Sequence, residues 1–185
     1  AGGLVASVGT AATLASWNDS EYASASFTAG RFDLEGSLDA GTTYSQHSAA
    51  GAAAALTFTL PTNNLSPGDM LDASFPVRLA AGTTHNAELK VTKAASTGAL
   101  TGIGVIAWQN TTSNCTGAYN SATMLAFADS GTLYPGIRPT MTKGATSAVA
   151  GAPVYVCFRM MAGDNLPQGQ TGSFTWQITA TSVAQ

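Results

Sequence analysis

The chain has 185 residues, room for one well-filled domain or a domain with an arm. Only 9% of it is charged, the net charge is −3, and the seven Lys and Arg are scattered singly, so no basic stripe suits nucleic acid. Mean hydropathy is slightly positive, at +0.13, which excludes a disordered composition, and no apolar run is long enough to span a bilayer.

The first sixteen residues, AGGLVASVGTAATLAS, carry no charge at all. Read at period two, Leu4, Ala6, Val8, Ala12 and Leu14 share one face, Ser7, Gly9 and Thr13 take the other, and Val5 is the exception. A helix that groups Leu4, Val8 and Ala11 is the open alternative, weakened by the β-branched residues and glycines. Fully extended, the segment would reach about 50 Å, far enough to leave its own domain. The expectation is an N-terminal arm, 1–16, on a single β-sandwich domain, 17–185. Leu4, Val5, Ala6, Val8, Ala12 and Leu14 would form a polymerisation strand, and Trp17, Asn18 and Asp19 the hinge.

Behind the arm the chain reads as short strands parted by turn clusters. A strand is expected over 25–34, where Phe32 and Leu34 share a face. Residues 36–52 have no periodicity and read as a long loop of the kind that often carries function. Residues 53–60 place Leu56, Phe58 and Leu60 on one face of a strand. Residues 71–79 alternate most clearly, with Pro76 arguing for an edge or a bulge. Further strands are expected over 85–93, 103–108, 122–128, 154–160 and 173–181. The stretches 94–102, 109–121 and 129–152 read as loops. Many short strands and no convincing helix mean an all-β sandwich of jelly-roll type. Trp108 and Trp176 fall on strand patterns and are expected in the core.

Sites of chemistry are scarce. His47 and His85 stand alone, HExxH and GxSxG are absent, and both histidines read as solvated. The pairs Asp19/Glu21 and Asp33/Glu35 would each share a strand face, and without a dense oxygen-ligand loop around them they read as solvated too. No catalytic residue, cofactor or metal is expected. Cys115 and Cys157 lack the spacing of a metal site and are either free thiols or a disulfide. A hydroxyl-rich, thiol-poor chain favours the disulfide.

Three stretches carry a family resemblance. They are Trp17-Asn18-Asp19-Ser20 followed by Phe27-Thr28-Ala29-Gly30-Arg31-Phe32-Asp33-Leu34; Leu65-Ser66-Pro67-Gly68-Asp69 with the strand after it and Gly82-Thr83; and Val156-Cys157-Phe158-Arg159 with Gln168-Gly169. Together they resemble the TasA/camelysin family of secreted proteins with an alternate type of signal peptide, in an actinobacterial version. The resemblance implies a secreted jelly-roll domain, and in some members assembly into biofilm-matrix fibres. It also implies signal cleavage near Ala15-Ser16-Trp17. The presence of the arm in the sequence leads instead to the expectation that it belongs to the working protein. The peptidase assignment of some members is not carried over, because its residues are missing. The functional expectation is therefore a secreted, cell-surface filament subunit that partners itself, with room for an anchoring or accessory surface protein. A monomeric adhesin holding polysaccharide on loops 36–52 and 129–152 is the alternative.

Overall fold

A computed structural model describes residues 21, 23–26, 28–98, 101–129 and 132–184. The arm and the Trp17–Asp19 hinge lie outside these described residues. Among the described residues nine strands appear: β1 (Leu34–Gly36), β2 (Met70–Leu79), β3 (Ala87–Gly98), β4 (Ile103–Asn110), β5 (Met124–Asp129), β6 (Thr132–Pro135), β7 (Thr140–Met141), β8 (Val154–Ala162) and β9 (Gly172–Ser182). They build an antiparallel β-sandwich. One sheet has six strands in the order β1-β2-β8-β4-β5-β6, and the other has three, β7-β3-β9.

The central strands form where alternation is strongest. Leu71, Ala73, Phe75, Val77 and Leu79 of β2, with Val154, Val156, Phe158 and Met160 of β8, turn inward and are buried. β2 is not an edge strand, because β1 and β8 flank it. Pro76 is tolerated because the β1 ladder ends beside it, at the Gly36–Val77 pair, so no N–H is needed on that side. The main core joins Phe75, Val77, Val156 and Phe158 to Leu89 and Val91 of β3.

Four expectations need correction. The strand over 25–34 shrinks to Leu34–Gly36, preceded by a single bridge from Arg31 to Thr83. Residues 23–26 and 28–32 are exposed, Phe32 among them, and bury too little to hold a ladder. Residues 53–60 form no strand. The loop over 94–102 is mostly β3, which continues to Gly98 because β9 offers a partner at every step apart from a shift between Lys93 and Ala95. Within 129–152 lie β6 and β7, held by tertiary pairing despite weak local patterning.

The outer face of the large sheet is also covered. Loop 111–123 folds over it, and Cys115 is disulfide-bonded to Cys157 of β8. Ile106, Trp108, Cys115 and Cys157 form a second-side core with Tyr119, Met124 and Phe127. Trp108 is therefore buried as expected, but on the sheet's outer face. Beside it Arg159 grips Asp72 with both ends of its guanidinium, at 2.6 and 2.8 Å. It also donates to the carbonyls of Cys115 and Gly117, each at 3.4 Å. The hydrogen bond that Arg159 donates to Asp72 is the main reason the Arg159 pKa is pushed up. The outward-facing Asp72 is only 8% exposed.

Candidate strand-acceptor groove

Six strands face three, and the mismatch leaves a vacancy. β3 lies across from β5 and β6, and β9 lies over β8, with the Phe158 and Trp176 rings 4.8 Å apart. The next position in the small sheet, opposite β2 and β1, holds no strand among the described residues. In its place is a groove of about 730 Å³ whose floor includes Phe75, Val77, Phe158 and Met160.

One wall of the groove is β9. It is eleven residues long, GSFTWQITATS. Phe174, Trp176, Ile178 and Ala180 point toward the core at half burial, and Thr175, Gln177 and Thr179 alternate with them. Its β3 edge is paired throughout, and no described strand pairs with the opposite edge. Sheet edges are normally blunted by charge, proline, a bulge or brevity. β9 has no charged residue and no proline, it is long, and the register shift opposite it falls on β3.

The other wall is Leu34–Gly36 with residues 46–58. Gly36 is required here, because a Cβ at this position would overlap the Phe75 ring. Beyond it the chain turns back sharply, and Gly36 and Ser45 exchange both backbone hydrogen bonds at 2.9 Å. Asp39 closes that turn. Its carboxylate accepts from the Thr42 and Thr43 amides and from the Ser37 and Thr43 hydroxyls. The Thr43 bonds come first among the causes that hold its pKa down at about 2. The sign follows: a carboxyl depressed from 3.8 supports the turn above that pH and stops doing so as the pH falls through about 2. Titration of the Thr43 amide by NMR is expected to show its midpoint near that value; a midpoint near 4 would refute the bond network.

The turn delivers His47 to the groove. Its ring packs edge-on to Phe75, with centroids 5.9 Å apart, and its Nδ1 is buried without a hydrogen-bond partner. The solvated reading of His47 is thus corrected. His85 stays exposed, bonded to the Thr84 hydroxyl at 3.0 Å. The carboxylates at the groove's edge are already matched: Asp33 pairs with Arg31, and Glu35 with Arg78 at 2.5 Å. They too had read as solvated. No group of three potential metal ligands occurs among the described residues.

Of the residues singled out from sequence, Cys115 and Cys157 are brought together as a disulfide, the chemistry of an oxidising compartment. No described helix is long and apolar enough to cross a membrane. The groove itself was missed. Its signals were present in the charge-free run 172–182 and in an alternating segment, 53–58, that finds no ladder. Among the described residues the groove presents an apolar floor, an edge of β9 that no strand pairs and carboxylates already matched by arginines, an arrangement suited to accept an extended, neutral peptide. No protein-family model matches this chain, and no curated protein matches it either.

Proposed function

We propose that this protein is the structural subunit of an extracellular filament, and that the arm of one copy enters the groove of the next as a β-strand. The observation that carries the reading is the long, charge-free strand β9, whose second edge pairs with no described strand, beside the apolar groove. The arm suits that site in three ways. It is uncharged, as the groove requires. Its apolar face recurs at period two, so Leu4, Ala6, Val8, Ala12 and Leu14 would turn toward the floor while backbone groups pair with β9. The span Leu4 to Leu14 is also eleven residues, the length of β9.

Such a contact is head-to-tail and does not close on itself, so it generates a fibre. Secretion agrees with the disulfide, and the resemblance to the TasA/camelysin family supports the same reading. Trp17, Asn18 and Asp19 would be the hinge where the arm leaves its own domain.

The test is removal of residues 1–16. The truncated chain is expected to keep its disulfide and β-rich circular dichroism and to remain monomeric by light scattering, while the full chain forms filaments visible by electron microscopy. Filaments of unchanged form after the truncation would sink the proposal.

A further inference from the structure

Resting on that reading, one side chain of the groove's wall sets the conditions under which a strand can lie there. The His47 ring packs edge-on to Phe75, and both residues line the groove. Its two nitrogens are placed unequally. Nε2 lies 3.4 Å from the Ser45 hydroxyl, whereas Nδ1 is buried with no hydrogen-bond partner. A neutral imidazole holds one proton and can keep it on Nε2, which leaves Nδ1 bare. A second proton has to sit on Nδ1, where it brings a charge and finds no acceptor.

The charges around the ring offer no compensation. On its own segment, the Asp39 carboxylate is taken up by the Thr43 amide and hydroxyl, and the Tyr44 ring lies under Arg78. Asp33 and Glu35 line the groove but are held by Arg31 and Arg78. β2 and β8 contribute Phe75, Val77, Phe158 and Met160, and neither residues 53–58 nor β9 includes a charged residue. The proposed occupant worsens the balance. Residues 1–16 carry no charge, so the arm has no carboxylate to offer, and seating it removes water from the groove.

We infer that His47 makes occupancy of the groove depend on pH: the arm of a second copy seats while the ring is neutral and is released when the ring takes a second proton. The sign follows from burial, because desolvation penalises the charged form. The occupied groove then holds fewer protons than the open one, so acidification favours the open groove.

The critical concentration for filament assembly of the full chain reads this directly. It is expected to be about tenfold higher at pH 5.5 than at pH 7.5, a range over which histidine changes charge, with at most one proton taken up per subunit released. His47→Phe keeps a ring against Phe75 and takes no proton, so its critical concentration is expected to be equal at the two pH values. His47→Gln, a second neutral side chain, is expected to behave alike. His85→Asn removes the exposed histidine and is expected to keep the whole rise. Filaments that need residues 1–16 but form equally well at both pH values, or that weaken in acid just as much with His47→Phe and His47→Gln, overturn the switch alone. Filaments that form without residues 1–16 overturn the arm-in-groove reading and the switch with it.

Discussion

Replacement of Asp72 by alanine is expected to destabilise the domain by about 3–5 kcal/mol, the cost of leaving one partner of a buried ion pair alone. Arg159 would keep its charge, only 15% exposed on its side chain, with two long carbonyl contacts in place of a bidentate carboxylate. For a domain of this size the loss corresponds to a fall in Tm of roughly 10 °C or more. Thermal denaturation followed by circular dichroism reads it directly. Replacing both partners by apolar residues of similar volume, Asp72→Leu with Arg159→Met, is expected to recover most of the loss. A single Asp72→Ala change that costs less than about 1 kcal/mol would instead place the pair in the class of solvated surface bridges.

The second large effect belongs to the disulfide. Cys115 and Cys157 are 42 residues apart, and opening that loop with alanine at both positions is expected to cost about 4 kcal/mol in the chain-entropy model. The consequence is also local. The bond fastens loop 111–123 over Trp108, so its loss should expose that indole and shift the tryptophan fluorescence to longer wavelength. Because Arg159 bonds the Cys115 carbonyl, the two perturbations share a partner. Their combined cost should fall short of the sum, as coupled neighbours do. Strict additivity in denaturant titrations would show that loop and ion pair act independently.

The β-sandwich class was legible because β2, β8 and β9 alternate without interruption, and alternation is what a half-buried strand requires. The disulfide was legible from composition. The strand order was not, because nothing local in a strand says which neighbour it meets. Residues 53–60 show the limit best: they have the right period, yet period alone cannot tell a paired strand from an extended segment that joins no sheet. His47 misled for a similar reason. A histidine in a Ser/Gly loop reads as solvated until the Asp39 turn, a tertiary arrangement, folds it onto Phe75. The β3 extension to Gly98 was hidden because Ala94 to Gly98 are small and show no alternation, and β9 supplies the pairing that propensity does not.

The internal pairing of arginines has a kinetic consequence. Of the chain's few cations, Arg31, Arg78 and Arg159 are each spent on a carboxylate of the same chain. With these pairs matched and a net charge of only −3, a partner is drawn in and turned only weakly by charge. Encounters at such a surface proceed at the modest pace of unsteered diffusion. Discrimination then falls to fit at close range, to the length and period of whatever backbone comes to lie along β9.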